Sequence, residues 1–181
     1  MGTNQLAIGT VIPEFSALPG TDSKQYSLST FNEKKVLVIV FSCNHCPYVK
    51  AYEERMKAFQ QDYEGKGVQL VAINANDTKD YPDDDFESMV KRAQEKGFNY
   101  PYLRDENQIV ASAFNATHTP QFFVFDAERK LRYIGKMDDN YQDPSAVKST
   151  YLRNAVDAIL SGQEVAEPET FSIGCTIKWR L

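Results

Sequence analysis

The segment from Lys34 to Asn74 constrains the fold of this chain more than any other. KKVLVIVF, Lys34 to Phe41, is a β-branched run without polar alternation, the pattern of a strand buried on both faces. From Pro47 the apolar residues Val49, Tyr52, Met56, Phe59 and Tyr63 recur at three- and four-residue steps, which predicts a helix closed by GKG at Gly65 to Gly67. Pro47 suits its first turn, where a missing N–H costs nothing. VQLVAIN, Val68 to Asn74, reads as a second buried strand. The segment is therefore a βαβ unit. At the C-terminal end of its first strand stands FSCNHCPYVK, with two cysteines three positions apart.

The remaining patterns extend this unit. DDDFESMVKRAQEKG predicts a helix with Phe86, Met89, Val90 and Ala93 on one face. Its acids (Asp83, Asp84, Asp85, Glu87) come first and its bases (Lys91, Arg92, Lys96) last, which complements the helix dipole. Capping explains the acidic run, and the spacing of a calcium loop is absent. A short helix is expected near Gln108 to Phe114, then the loop ATHTP. QFFVFD (Gln121–Asp126) and KLRYIG (Lys130–Gly135), separated by turn residues, read as an antiparallel hairpin. A last helix carries Leu152, Ala155, Val156 and Ile159 and stops at Gly162. The expected architecture is α/β, a central sheet covered on both faces by helices, formed by residues 1–181 as a single domain with an extended tail over 163–181. In the tail, FSIGCTIKW alternates: Phe171, Ile173, Cys175, Ile177 and Trp179 point one way. That predicts one buried face, with Cys175 a buried and inert thiol. The rival reading of Cys175 is a second resolving cysteine on a folded-back tail.

The close cysteine pair can hold a metal, staple the chain or cycle between dithiol and disulfide. Three cysteines are too few, and odd in number, for a disulfide-stapled secreted scaffold. A structural zinc site wants four ligands, and beyond the pair only His45, His118 and Cys175 could supply them. No metal and no cofactor is therefore expected, and a non-catalytic metal-binding module is a lesser alternative. The net charge of −5 argues against nucleic acid. VLVIVF is too short to span a bilayer, so no membrane partner is expected. Met1 to Thr10 shows neither a basic region nor a long apolar one, so a cytoplasmic protein is expected. The redox reading has local causes. Cys43, placed at the mouth of the helix and open to water, should be favoured as a thiolate by about 0.3–1 kcal/mol, up to ~2 when partly buried. His45, if protonated, would add to this. Cys46, one turn on, could then resolve a mixed disulfide at Cys43.

These features resemble the thioredoxin-like superfamily, specifically its redoxin branch (AhpC/TSA, peroxiredoxin-like). IPEFSALPGTDSKQYSLSTF is similar to the N-terminal hairpin segment of redoxins, and FSCNHCPYVK sits where that family keeps its active cysteine. AINANDTKDYPDDDFESMVKRAQEKGFNYPYLRDE resembles the insertion separating redoxins from thioredoxins, and ATHTPQFFVFD the loop with the cis-proline. The resemblance implies a three-layer α/β/α fold with a mixed central sheet, an N-terminal β-hairpin extension and a βα insertion. It implies a cis Thr119–Pro120 bond facing the cysteines, with the backbone of Thr119 docking an extended substrate; the residues alone fit a trans turn equally well. His118 becomes a docking candidate only by standing beside that proline. Implied partners are a protein or small-molecule disulfide and a thiol reductant, either a thioredoxin system or glutathione.

Within that branch two chemistries compete. Peroxiredoxins, the antioxidant members, resemble P-x-x-x-T/S-x-x-C, and with Cys46 in last place this chain has Cys43 for the threonine and Ile39 for the proline. Where that family has an arginine, Pro120 stands; Arg104, Arg129 or Arg132 would have to substitute. Dithiol–disulfide exchange is therefore expected, in the reductase or isomerase direction, with a thiol peroxidase acting through Cys46 as the alternative. C-x-H-C is similar to disulfide isomerases and periplasmic oxidants, which implies a potential nearer about −180 mV than −270 mV.

Overall fold

The computed structural model describes residues 5–181; the first four, part of the Met1–Thr10 stretch read above, lie outside it. Leu18–Pro19 (β1) and Gln25–Tyr26 (β2) form the N-terminal hairpin. Val36–Phe41 (β3) is followed by the helix Pro47–Tyr63 (α1) and by Val68–Asn74 (β4). The insertion contributes Phe86–Lys96 (α2), and Tyr102–Arg104 (β5) and Ile109–Ala113 (α3) come next. Then follow His118–Thr119 (β6), Gln121–Phe125 (β7), Leu131–Gly135 (β8), Tyr151–Leu160 (α4) and Cys175–Thr176 (β9).

The main sheet has the order β5-β4-β3-β7-β8. β3 pairs parallel with β4 and antiparallel with β7, so the sheet is mixed. β3 lies at its centre, with every residue buried, which explains the absence of polar alternation there. Its side chains split between two cores. Val36, Val38 and Val40 face α1, α4 and Met89 of α2. Leu37, Ile39 and Phe41 face the other layer with Phe123, Phe125 and Phe114. The two layers differ in make-up. The second contains the short helix α3 and a 3-10 turn at Leu28–Phe31, which supplies Phe31, together with irregular chain carrying Leu6, Ile12 and Phe15. Apolar side chains spaced without helical period can cover a sheet face as loop when their backbone finds other partners, as Gly9 and Ile12 do on Leu131 and Arg129. The result is the three-layer thioredoxin-like arrangement. Among the described residues no helix is long and apolar enough to cross a membrane.

The C-terminal tail departs most from its expected packing. Ile177 is buried, but Phe171 is 92% exposed, Ile173 is exposed and Trp179 is 41% exposed. The alternation marks an extended chain, not a buried face: the tail is a strap over the surface, and only the part inserted beside β6 is covered. It is held first at β8, where Ile134 donates its N–H to Pro168 O and accepts from Thr170 N–H, both at 3.0 Å. Gly135 allows this crossing. Its φ is +147°, and a Cβ there would lie 2.0 Å from Thr170 Oγ1 and 2.6 Å from Thr170 O. Gly135→Ala should therefore combine backbone strain with overpacking and cost about 1–3 kcal/mol. Denaturant unfolding should show this loss, and a midpoint equal to wild type would mean the strap does not press on β8.

Candidate active site

Three segments meet at the C-terminal end of β3: the loop Ser42–Cys46, the turn before β7, and β9. Cys46 is the N-cap residue of α1 and Pro47 its first helical residue. The expectation that Cys43 opens the helix is thus corrected. Proline is tolerated only in the first turn, so it sets the helix start after the second cysteine, and Cys43 stays in the preceding loop. Cys43 is 2% and Cys46 0% exposed, so neither sulfur meets water; the open Cys43 thiol expected from sequence is not found. The tail reaches the second of them, with Cys175 Sγ against Cys46 Sγ. The Thr119–Pro120 bond is cis, as the resemblance implied, and Thr119 faces the pair. Its Oγ1 lies 3.5 Å from Cys43 Sγ, and its carbonyl accepts from Cys46 Sγ at 3.3 Å. His118, the next residue along the strand, points the other way and bonds Thr117 Oγ1 through Nδ1 at 2.8 Å. It lines a cavity of about 670 Å³ beside Phe171 and Trp179, away from the sulfurs.

The docking place of Thr119 is taken by the chain itself. β6 and β9 run antiparallel with Thr119 opposite Cys175, and Cys46 Sγ lies 2.8 Å from Cys175 Sγ. All three cysteines are free thiols. Cys175 is only part-buried, so it is neither the covered nor the isolated thiol that its place in the alternating pattern suggested.

The surrounding groups set the acidity of each sulfur. Cys46 is pulled well below the ordinary thiol range, first by a hydrogen bond from Cys43 and then, against the cost of burial, by the Cys175 thiol and the N–H groups of Val49 and Cys175. Against these donors stands one acceptor, the Thr119 carbonyl, to which only the protonated form can bond. Cys43 is pushed far up, first by its bond to Cys46, next by burial and then by Asp84. The more acidic thiol is thus Cys46, contrary to the sequence expectation, chiefly because the two sulfurs interact, with the buried acid near Cys43 and the first-turn N–H groups near Cys46 adding to the split. Cys175 is raised to about 11, by burial first and then by Cys46.

Asp84 is the functional residue that sequence reasoning missed. It is fully buried, outside α2, whose cap is Asp85. Asn44 N–H and Asn74 Nδ2 donate to its Oδ1 at 2.7 and 3.1 Å, and Asn76 Nδ2 donates to its Oδ2 at 3.0 Å. Tyr102 Oη donates to Asn44 Oδ1 at 2.8 Å and extends the network. The asparagines of NAND and the redundancy of DDD were the available signal; nothing in the sequence said which acid turns inward. His45 Nδ1 lies 2.7 Å from Asp84 Oδ2 as an ion-pair contact, out of hydrogen-bond geometry. Its ring stacks on Tyr81 at 5.7 Å. His45 therefore faces Asp84 as well as the sulfurs. Donor atoms of Cys43, His45 and Asp84 lie within 4.8 Å of one another. As a metal site this trio fits poorly, since three N–H donors already occupy the Asp84 oxygens. The arginines that could serve a peroxidase are engaged elsewhere: Arg104 with Asn74, Asn76 and Glu106, and Arg129 and Arg132 near Asp126 at the other end of β7.

A dithiol on a thioredoxin-like sheet, beside a cis-proline and with one sulfur more acidic than an ordinary thiol, defines a thiol–disulfide oxidoreductase. Comparison places it more closely. Residues 8–134 match the AhpC/TSA family model, and the chain belongs to that family. An uncharacterized conserved protein from Geobacillus kaustophilus has a similar structure, with a TM-score of 0.91 and 41% identity over 98% of this chain and 94% of that one. The thiol-disulfide oxidoreductase ResA of Geobacillus kaustophilus strain HTA426 is 24% identical over 131 residues, 71% of this chain and 69% of its own. A structure described as a thiol:disulfide interchange protein DsbE from Chlorobium tepidum shares the fold, with a TM-score of 0.69 and 20% identity over 86% of this chain and 99% of that one.

Two outcomes test the electrostatics. Far-ultraviolet thiolate absorbance of the reduced protein should persist well below the ordinary thiol range and vanish in Cys46→Ser. Because the folded pKa lies below the unfolded one, this group's stabilisation is present above the ordinary thiol range and lost as pH falls through the depressed value. Asp84→Asn removes the acid that raises Cys43, so the Cys43 midpoint should fall; a midpoint that holds or rises would remove Asp84 from the account.

Proposed function

We propose that Cys43 and Cys46 carry dithiol–disulfide exchange in the reductase or isomerase direction, acting on a protein or small-molecule disulfide. The observation that carries this is the convergence of the two thiols on Thr119 beside the cis-proline, with Cys43 Sγ 3.5 Å from Thr119 Oγ1 and Cys46 Sγ 3.3 Å from Thr119 O, in surroundings that favour the Cys46 thiolate. Acidity assigns the first attack to Cys46, the reverse of the order read from sequence. Its thiolate attacks one substrate sulfur, a Cys46 mixed disulfide forms and the other substrate sulfur leaves as a thiolate. Cys43 then attacks Cys46, the Cys43–Cys46 disulfide closes, and the proton of Cys43 goes to the departing thiolate. A stabilised thiolate stabilises the reduced form and raises the potential, toward about −180 mV from about −270 mV. Against a cytosolic glutathione poise of about −220 to −260 mV, such a pair rests reduced and accepts oxidising equivalents. A cytoplasmic protein recycled by glutathione or a thioredoxin system fits this poise. His45 acts as a positioning residue between Asp84 and the pair.

A thiol peroxidase acting through Cys46 is the second reading, favoured by the same raised acidity and opposed by the engagement of Arg104, Arg129 and Arg132 elsewhere. Insulin-disulfide and peroxide reduction, measured side by side, separate the two. Cys46→Ser should lose disulfide reduction by about a hundredfold or more. Peroxide consumption that survives Cys43→Ser would replace exchange by peroxidase chemistry.

A further inference from the structure

The two sulfurs of the motif are buried, and the strand that should receive a substrate is filled by β9. The tail is built to stay there. Upstream, Thr170 is fixed to β8, and its Oγ1 accepts from Lys136 N–H at 2.9 Å. Downstream, Ile177 is buried and donates its N–H to Thr117 O at 2.9 Å. Lys178 N–H reaches Asn76 Oδ1 at 2.9 Å, its carbonyl accepts from Asp77 N–H at 2.7 Å, and Arg180 N–H donates to Gln108 Oε1 at 2.9 Å. Between these anchors Gly174 makes the approach possible: a Cβ there would lie 2.1 Å from the Thr119 carbonyl oxygen. The residue delivered is Cys175, the cysteine of the three that retains exposed surface.

From this geometry, and resting on the dithiol reading above, we infer that Cys175 is a third catalytic thiol, and that Cys46 is the hub through which disulfide passes between buried Cys43 and outward-facing Cys175. In the oxidised protein the Cys175 thiolate attacks Cys46 Sγ. The Cys46–Cys175 bond forms, the Cys43–Cys46 bond breaks, and the proton given up by Cys175 ends on Cys43. No electrons are gained or lost, so this exchange needs no other oxidant. An external thiol then reduces the Cys46–Cys175 bond by attack at Cys175, and for this recycling leg the strap need not leave. At 2.8 Å the two sulfurs are near bonding distance, about 2.05 Å in a disulfide. Tethering gives Cys175 an effective concentration of millimolar or more at Cys46. The exchange is also timed by the redox state: oxidation of the pair removes the Cys46 anion that helps hold the proton on Cys175.

The experiment maps disulfides in the full-length chain after treatment of the reduced protein with one equivalent of diamide, a thiol oxidant, followed by acid quench and alkylation. Wild type should yield both Cys43–Cys46 and Cys46–Cys175 linked peptides, and Cys43→Ser should yield Cys46–Cys175 as its main product. Gly174→Ala keeps all three sulfurs but presses the tail off Thr119, and should cut the Cys46–Cys175 yield about tenfold while Cys43–Cys46 still forms. A wild type linked only through Cys43–Cys46, with Cys43→Ser giving no Cys46–Cys175 peptide, overturns the inference; so does an unchanged yield in Gly174→Ala. Insulin reduction separates this from the parent reading. Protein that reduces insulin yet never links Cys46 to Cys175 retains the dithiol function and loses the relay. Protein that forms both links but reduces no disulfide supports the relay and loses the function.

Discussion

The site depends on where one proline lets a helix begin. Pro47 lacks an N–H and is accepted in the first turn, so α1 starts there and Cys46 becomes its cap. The Cys46 side chain makes no capping hydrogen bond, but its sulfur sits at the mouth of the helix, where the first-turn N–H groups lack intrahelical partners. That placement sets it beside Cys43, the main source of its acidity, and within reach of β9. Had the helix begun at Cys43, the first cysteine would hold the anion and the second would be an ordinary buried thiol within the turn.

The second determinant is a buried acid held by neutral donors. Asp84 has no arginine or lysine on its oxygens; it has a backbone N–H and two amides, with His45 alongside. Amides stabilise an anion without cancelling its field as a cation at the same distance would. That field bears on Cys43 and adds to the hold that Cys46 and burial place on its proton. Two interacting sulfurs, one in the loop and one at the helix start, thus acquire opposite tendencies, and the acid and the helix end reinforce the split. Such separation lets one member of a dithiol attack while the other waits protonated.

Local patterns in the sequence carried the fold a long way. The unbroken apolar run of β3, the period of α1 and the turn between β7 and β8 each have one local physical cause, and each appears where the residues put it. The cis bond before Pro120 was legible only through resemblance, since Thr-Pro alone fits either isomer. The site was legible in its members and not in their roles. Cys43, Cys46, Thr119 and Pro120 converge, but which sulfur is acidic turns on a one-residue question about the helix start and on Asp84, forty residues away in sequence. His118 lies next to Thr119 and still faces away, because successive residues of a strand point to opposite sides.

The tail shows why alternation alone can mislead. A period of two says that a segment is extended; what covers it depends on how much neighbouring surface is within reach. Here the strap crosses a sheet edge and a loop, so Phe171 and Trp179 find little to pack on, whereas Ile177 finds the second core. What orders the segment is backbone pairing at Ile134, Thr117, Thr119 and Asp77, helped by two glycines whose missing Cβ atoms let the chains meet. Main-chain pairing of this kind is how an extended peptide adds to an exposed strand. When the added strand belongs to the same chain, no association entropy is lost at each encounter, and its side chain in register with Thr119 is fixed by sequence. That side chain is a cysteine, so the strand that fills the place beside Thr119 also delivers a thiol to Cys46.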